Sequence, residues 1–480
     1  MRTGTKKLLV AAAFGFCLAG FAKADLAKRI DEIISQPAQK KVRFSIYVVE
    51  AGSGKAVYSH DANTAMAPAS NMKIITTAAA LKYLGPDYKY TTKVGLCGDM
   101  LAVVGSGDPL LGDRETDSKY GRQSSWIFED IAAVLKRNGI TGIKGIIVDA
   151  SIFDDQRVHP NWPKEQLNRS YACEVSGLNF NGNCIEISAK TVGNKVVLFI
   201  NPETNYVKVI NKVVPKSKGK SAVGSYRQPE SNKITVFGNC KNEAGPFAVA
   251  IENPAAFFAF LLQENLTKAG IKTEGQFVEK TIGRDSDFKM LAEYNTTIAD
   301  CLARCNKDSF GLAAEALIKT IAVNRGLTLG TGSWTQGRDA VSLYLSALGV
   351  DKGEFYVDDG RGLSRENKLS ANAITKVLLN VYKSKNWPLY ENCLAVGGVE
   401  GTIERYFKEE KYKNKVLGKT GYIQGVKSFS GICKTAKGDY LFSILTDGAN
   451  GQTREAIYDI AKMIIDEAES EKDSCAIQNR

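Results

Sequence analysis

The sequence predicts an α/β (α+β) protein whose main domain is discontinuous, because a long β-rich insertion interrupts it. Helix-like apolar runs occur near residues 71–84, and the pattern turns helical again from about Ala292 onward. Between them, short β-like runs alternate with Gly, Asn and Asp turns. We therefore expect a main domain of residues 25–91 and 292–480, and an insertion of residues 92–291 folded as one or two modules.

Composition supports a folded, globular chain. Its 480 residues are 44% hydrophobic and 24% charged, which excludes wholesale disorder and fibrous repeats. No stretch after the N-terminal segment is an uncharged apolar run long enough to cross a bilayer. The formal net charge of +11 is compatible with peripheral association with anionic walls or lipids.

The individual elements are predicted from apolar spacing and from the residues that bound each run. Alternation in Phe44–Glu50 predicts a strand, and the run from Asn71 to Leu84 is predicted to be a helix ended by Gly85-Pro86. The remaining predicted helices are Pro254–Ala269, Thr297–Cys305, Phe310–Asn324, Thr335–Leu348, Ala371–Lys383 and Arg454–Glu469. The remaining predicted strands are Ala56–Tyr58, Val103-Val104, Gly145–Asp149, Val196–Ile200, Ile234–Phe237, Gly425–Lys434 and Tyr440–Thr446.

The N-terminus, residues 1–24, is predicted to be a signal peptide. Arg2, Lys6 and Lys7 precede an apolar run, and the segment ends in Ala22-Lys23-Ala24. A basic start, a short apolar stretch and small residues at the end are typical of a cleaved export signal rather than a membrane anchor. We expect secretion to a bacterial periplasm or cell envelope.

Histidine is scarce, which limits the chemistry that the chain can use. Only His60 and His159 are present, and no C-x-x-C pair or nearby histidine completes a tetrahedral metal site. We therefore expect no metal and no cofactor. Catalysis is expected to use Ser, Lys, Asp or Glu.

Ser70-Asn-Met-Lys73 stands at the predicted start of an apolar helix. Residues three apart lie on the same helix face, and a helix N-terminus disfavours a positive lysine and favours a developing oxyanion. Lys73 could therefore activate Ser70 as a nucleophile. Ser217-Lys-Gly-Lys220 and Ser286-Asp-Phe-Lys289 have the same spacing, but neither is followed by an apolar helix.

A second motif, Lys419-Thr-Gly421, stands just before the C-terminal strands. A lysine on an edge strand, followed by a glycine that lets another backbone approach, suits an extended peptide with a C-terminal carboxylate. Taken alone, a solvated strand end explains these residues better.

A third serine is expected between these two motifs, since S-x-x-K, S-D-N and K-T-G occur together in penicillin-recognising enzymes. Three segments are candidates. Ser309-Phe-Gly311 precedes a predicted helix but has glycine where asparagine is expected. Ser370-Ala-Asn372 and Ser384-Lys-Asn386 have both the serine and the asparagine, but the sequence around them is less suitable.

In this order the motifs resemble those of the DacB-like D-alanyl-D-alanine carboxypeptidase/endopeptidases, the class C low-molecular-mass penicillin-binding proteins. The resemblance covers most of the chain after the signal. It rests on Pro68–Leu81, Gly105–Leu110, Phe153-Asp-Asp-Gln with Trp162, Asn306–Glu315, Asp359–Arg365, Gly401-Thr-Ile and Gly418–Gly421. Asn306–Glu315 is similar to the family's N-K-x-S-D-N-L-x-A-E, which favours Ser309 over Ser370 and Ser384. In Asp359–Arg365, Arg361 replaces the serine of D-G-S-G-L-S-R.

The resemblance implies the transpeptidase fold shared by penicillin-binding proteins and β-lactamases, and a serine acyl-transfer enzyme of the cell wall. Its catalytic domain would be residues 25–91 and 292–480. Ser70 would be the nucleophile, Lys73 its base and Ser309 the proton relay. Lys419 would place a charge beside Ser309 and help to bind the substrate carboxylate. Thr420, Gly421 and Tyr422 would bind substrate, with backbone N–H groups of Ser70 and Tyr422 as the oxyanion hole.

The partners implied are peptidoglycan stem peptides or cross-links, with β-lactams as covalent inhibitors and no nucleic acid. Two other classes stay open. Gly311 allows a catalytically weak peptidoglycan-binding relative. A β-lactamase or esterase on the same fold is the other, although the long insertion between Ser70 and Ser309 is unlike an ordinary β-lactamase.

Overall fold

A computed structural model describes residues 26–123, 125–283, 286–324 and 331–477, without the side chains of 470–477. The predicted signal peptide, residues 1–24, lies outside these ranges. In the part of the chain that is described, no helix is both long and apolar enough to cross a membrane.

The chain mixes helices and strands throughout, which confirms the predicted α/β class. The helices are α1 (26–34), α2 Met72–Leu84, α3 Arg114–Lys119, α4 Trp126–Arg137, α5 Pro254–Lys268, α6 Ile298–Lys307, α7 Gly311–Asn324, α8 Trp334–Ala347, α9 Ala371–Tyr382, α10 Trp387–Glu391 and α11 Thr453–Ile477.

The strands number twenty-one in the described ranges. They are β1 Arg43–Glu50, β2 Ala56–His60, β3 Lys89–Cys97, β4 Met100–Val104, β5 Gly142–Ile143, β6 Gly145–Asp149, β7 Cys184–Val192, β8 Lys195–Asn201, β9 Lys208–Pro215, β10 Ala222–Arg227, β11 Lys233–Cys240, β12 Glu243–Ala250, β13 Lys272–Thr273, β14 Phe277–Glu279, β15 Lys289–Thr297, β16 Phe355–Tyr356, β17 Lys368–Leu369, β18 Ala395–Val396, β19 Val416–Ile423, β20 Val426–Thr435 and β21 Gly438–Asp447.

The chain forms two compact units. Of the described residues, the first contains 26–79, Ala303–Ser309 and 341–477. The second contains Ala80–Leu302 and Phe310–Ala340. The predicted domain bounds, 25–91 with 292–480 and 92–291, stay a prediction. Ser70, Ser309 and Lys419 all belong to the first unit.

The first unit is built on a six-stranded sheet in the order β18-β19-β20-β21-β1-β2, in which every neighbouring pair is antiparallel. Its core joins α1 and α11 to this sheet through Ile30, Ile46, Phe429, Phe442 and Ile460, all fully buried. The short turn Ala69–Asn71, just before α2, packs against β19 and β20. The serine of the first motif therefore lies against the strand that carries the second.

The second unit contains a five-stranded sheet, β14-β6-β4-β3-β15, and two three-stranded sheets, β10-β11-β9 and β12-β7-β8. One hydrophobic core joins α4 and α5 to these strands, with Phe128, Phe180 and Phe258 in ring contact at its centre. The second unit is thus rich in strands, although α3 and α4 within it were not predicted.

Candidate active site

Ser70 lies in the single 3-10 turn Ala69–Asn71 that leads directly into α2. Ala69 has a φ of 47°, in the left-handed region that a side chain disfavours. Such strain concentrates at functional positions. The Lys73 Nζ donates to Ser70 Oγ over 3.0 Å, and Lys73 itself is only 2% exposed. Ser70 and Lys73 therefore lie on the same side of the helix start, as predicted, and are hydrogen-bonded to each other.

The turn is held on the sheet by three polar contacts from β19 and β20. The Asn71 amide donates to the Lys419 carbonyl over 2.8 Å, and the Ser430 hydroxyl donates to the Asn71 amide oxygen. The Ser428 hydroxyl donates to the Pro68 carbonyl over 2.7 Å. Since all three groups are buried, they fix the residues on both sides of Ser70.

Gly421 of β19 also lies close to this turn. A Cβ at Gly421 would lie 3.0 Å from the Ser70 nitrogen, 2.9 Å from the Pro68 carbonyl oxygen and 2.2 Å from Ser428 Oγ. A real Cβ does not fit there, so glycine is required for the strand to reach the serine. The predicted approach of a peptide backbone to Gly421 stays a prediction.

Lys419 is completely buried, and its Nζ donates to Ser309 Oγ over 2.8 Å and to the Thr420 carbonyl over 2.7 Å. Burial lowers the pKa of Lys419 well below 10.5, and the nearby Lys73 lowers it further. Ser309 has a φ of 61°, a second left-handed non-glycine residue in the site. The structure thus brings Ser309 into the same cluster as Ser70, Lys73 and Lys419.

The loop Asp359–Arg365 is a part of the site whose role the sequence did not reveal. Lys73 Nζ donates to the Arg361 carbonyl over 2.8 Å. The Asp359 carboxylate accepts from the Gly362 and Ser364 amides over 2.6 and 2.8 Å, which shapes the loop. Because Lys73 contacts a backbone oxygen, an arginine in place of the family's serine does not remove the contact. No side-chain pattern signals such an interaction.

The two alternative serines have structural partners instead. Ser370 caps α9: its Oγ accepts from the Ala373 amide over 2.9 Å and donates to Glu354 Oε2 over 2.5 Å. Ser384 Oγ donates to the Val381 carbonyl over 2.7 Å. Both therefore stabilise helix ends.

The second-motif segment has one further anchor. Asn306 is completely buried, and its amide donates to Thr77 Oγ1 on α2 over 3.1 Å. Gly311 is the first residue of α7 and is buried. The gap expected where the family has an asparagine amide stays a prediction.

Beyond Gly418, one edge of β19 has no strand partner within the described residues. β18 pairs only with Leu417 and Gly418, whereas β20 pairs along the whole opposite edge. The free edge runs past Lys419, Thr420, Gly421 and Tyr422, the residues predicted to bind substrate. An extended peptide can add to such an edge through main-chain hydrogen bonds. Thr420 Oγ1 also lies 3.0 Å from Thr402 Oγ1, in the Gly401-Thr-Ile motif.

The predicted irrelevance of histidine to acylation stays a prediction. His159 packs edge-on against Trp334, with ring centroids 5.1 Å apart, inside the second unit. Across the described ranges, no group of three or more His, Cys, Asp or Glu side chains could hold a metal ion.

Comparison with known proteins places this arrangement in a family. Residues 26–467 match the family model described as D-Ala-D-Ala carboxypeptidase 3 (S13). The chain is 28% identical to a D-alanyl-D-alanine carboxypeptidase of Actinomadura sp. (strain R39), over 91% of this chain and 83% of that protein. It is 24% identical to the D-alanyl-D-alanine carboxypeptidase DacB of Haemophilus influenzae, over 80% of each chain.

The fold is likewise that of a solved relative. The crystal structure of penicillin-binding protein 4 (dacB) from Haemophilus influenzae superposes with a TM-score of 0.75 at 22% identity. The match covers 91% of this chain and 98% of that one. This confirms the predicted penicillin-binding fold. The chain thus belongs to the D-Ala-D-Ala carboxypeptidase 3 (S13) family of serine peptidases, as its motifs indicated.

Proposed function

We propose that Ser70 is the nucleophile of a serine D-alanyl-D-alanine carboxypeptidase and endopeptidase that cleaves peptidoglycan stem peptides and cross-links. One observation carries this proposal: two hydrogen-bonded pairs, Lys73 with Ser70 and Lys419 with Ser309, meet at the free edge of a strand. That arrangement supplies a base, a nucleophile, a proton relay and a peptide-docking edge together.

In the acylation step, Ser70 Oγ attacks the scissile carbonyl carbon while Lys73 accepts the hydroxyl proton. The new oxyanion is held by the backbone N–H groups of Ser70 and Tyr422. A Cβ built on Gly421 would lie only 3.0 Å from the Ser70 nitrogen, and this close approach of β19 to the nucleophile supports the assignment.

Departure of the leaving amine requires a proton, which Ser309 relays to the nitrogen as the C–N bond breaks. Lys419 donates to Ser309 Oγ and orients it. Water then attacks the acyl carbon and regenerates Ser70. A β-lactam enters the same acylation step, but its amine stays tethered to the acyl group, so the adduct persists.

The substrate and location follow from the same reasoning. Thr420, Gly421 and Tyr422 would align the peptide along β19. Export through residues 1–24 would bring the enzyme to the periplasm or cell envelope, where stem peptides and cross-links occur. Its basic charge would favour peripheral contact with anionic envelope surfaces.

Fluorescent penicillin separates this function from its alternatives. We expect stable labelling of the wild type, none of Ser70→Ala, and release of D-alanine from a D-Ala-D-Ala peptide by the wild type alone. Rapid loss of the label would indicate a β-lactamase. A folded wild type that neither takes label nor releases D-alanine would be a binding protein, and the proposal would be wrong.

A further inference from the structure

The positive charge of the chain is concentrated in one small sheet. Residues 208–241 contain seven lysines, one arginine and a single acidic residue, Glu230. Residues 1–24 contain four basic residues and no acidic one. Because the formal net charge of the chain is +11, all the other residues together carry no net charge. The excess of positive charge after residue 24 therefore lies on β9, β10, β11 and the turns beside them.

The register of these strands gathers the lysines on one face of the sheet. β11 lies between β10 and β9, and its Ile234 and Val236 are completely buried in the core of the second unit. Since side chains alternate along a strand, Phe237 faces the other way. Phe237 pairs with Lys212 of β9 and with Gly224 of β10, so residues two apart from these along each strand share its face. We call this surface the basic face, and its prominent side chains are Lys208, Lys212, Val214, Tyr226, Lys233 and Phe237.

The basic face is open to solvent. Its three lysines are exposed, and within the described part of the chain none of them forms a salt bridge. Tyr226, Phe237 and Val214 keep 53%, 47% and 53% of their surface exposed. The Phe237 ring lies over β10, because a Cβ built on Gly224 would be 3.3 Å from two of its ring carbons. Since β9, β10 and β11 contain no Asp or Glu, this face combines positive and apolar side chains without a carboxylate.

A lysine-rich turn adds charge at one end of the sheet. Lys216, Lys218 and Lys220 follow β9 and are exposed. The Lys216 amide donates to the Cys240 carbonyl over 2.9 Å, which ties the start of this turn to the end of β11. Glu230 lies at the opposite end of the sheet, in the turn that joins β10 to β11. Six lysines thus belong to the basic face and its turn, away from the acidic residue of this segment.

We propose that the basic face docks the protein on a membrane surface that contains anionic phospholipids. Lysine is a compact, hydrated charge without a fork that selects one ligand geometry, so six of them suit an anionic surface better than a single bound ion. Tyr226, Phe237 and Val214 gain from an apolar layer, which a bilayer offers beneath its headgroups and a hydrated anionic polymer does not. This inference goes beyond the proposed function, since no residue of the basic face belongs to the candidate active site.

The test measures co-sedimentation of the protein with vesicles of phosphatidylglycerol and phosphatidylethanolamine, and with vesicles of phosphatidylcholine alone. We expect binding to the anionic vesicles that weakens as salt is added, because salt screens the lysines. The combined variant Lys208→Gln, Lys212→Gln, Lys233→Gln should lower the partition coefficient about a hundredfold, at about fivefold for each lysine. Phe237→Ser should lower the partition coefficient about fivefold at low and at high salt alike, because an apolar contact is not screened.

The matched control combines Lys89→Gln, Lys93→Gln and Lys289→Gln. These three lysines are exposed on β3 and β15, in the five-stranded sheet of the same unit. The control removes the same charge and should bind the anionic vesicles as the wild type does. Equal losses in the two triple variants would show that net charge alone drives binding, and the docking face would be rejected.

Two further outcomes would also overturn the proposal. A wild type that does not bind the anionic vesicles at low salt has no such docking face. Retention on isolated peptidoglycan without binding to vesicles would assign the lysines to a wall polymer instead of lipid. Fluorescent penicillin should label every variant completely, so failure of the vesicle assay leaves the proposed function standing. An unlabelled wild type that still binds vesicles would reject the proposed function and leave the membrane face standing.

Discussion

Gly421→Ala is expected to uncouple β19 from the nucleophile. The added methyl group would lie 2.2 Å from Ser428 Oγ, 2.9 Å from the Pro68 carbonyl oxygen and 3.0 Å from the Ser70 nitrogen. Ser428 can rotate only by giving up its hydrogen bond to Pro68, and the other two atoms belong to the backbone. The strand and the turn must therefore separate by some tenths of an ångström.

Overpacking of this kind costs about 1–3 kcal/mol of stability. A displacement approaching 1 Å at a catalytic group reduces rates by about 100-fold. We therefore expect Gly421→Ala to lower the second-order rate constant of penicillin acylation by roughly ten- to a hundredfold. The rate constant is measured by quenching the labelling reaction with fluorescent penicillin at a series of times. The thermal midpoint should fall by only a few degrees.

Gly353→Ala is the matched control, because Gly353 is exposed and a Cβ there would meet no atom within 4 Å. It should acylate at the wild-type rate. Wild-type acylation by Gly421→Ala, with its fold intact by circular dichroism, would refute the close approach of β19 to Ser70.

Four further substitutions test the roles of the remaining residues. Ser309→Ala should reduce the rate of peptide hydrolysis by roughly two orders of magnitude or more. Ser370→Ala should hydrolyse the peptide at the wild-type rate, but it should be about 1 kcal/mol less stable because the cap of α9 is lost. Near-normal hydrolysis by Ser309→Ala would reject it as the relay. The pKa of Lys419 lies well below 10.5, so its ammonium is lost as pH rises. Hydrolysis should therefore decline on an alkaline limb below pH 10.5. Lys419→Arg should shift this decline to higher pH, because a guanidinium stays protonated. A decline at the same pH would assign it to another titrating group. Gly311→Asn should raise the rate of penicillin acylation or leave it unchanged, because it restores a donor and an acceptor. A large fall in that rate would exclude a favourable role for the amide.

Many of the helices could be predicted from periodicity. Helices α2, α5, α6, α7, α8 and α9 begin and end within two residues of prediction, because long apolar runs are bounded by Gly, Pro or polar caps. The helix α11 extends to Ile477, eight residues past the predicted end. Charged residues there lack the apolar repeat on which the prediction relied.

Elements whose stability comes from tertiary pairing were harder to predict. β15, Lys289–Thr297, pairs antiparallel with β3, nearly two hundred residues earlier, and overlaps the predicted change to helix near Ala292. The helix α4 buries Ile127, Ile131 and Leu135 on one face, but this short helix lies among strand-like runs. Long-range pairing overrides local propensity in such cases.

In the candidate site, too, local contacts could be predicted from the sequence and long-range contacts could not. Ser70 and Lys73 could be predicted because the helix itself sets their spacing. The contact between Lys419 and Ser309 joins residues 110 positions apart, so only the order of motifs indicated it. The Arg361 carbonyl left no signal in the sequence, because a backbone oxygen has no sequence pattern.

The central claim, that Ser70 is the acylated nucleophile, is tested most directly by peptide mapping after penicillin treatment. Intact-protein mass spectrometry should show one penicilloyl adduct, and tandem spectra of the digest should place it on Ser70. Ser70→Ala should remain unmodified under the same conditions. An adduct on Ser309 or any other residue, or an unmodified protein that still releases D-alanine from the peptide, would contradict the account.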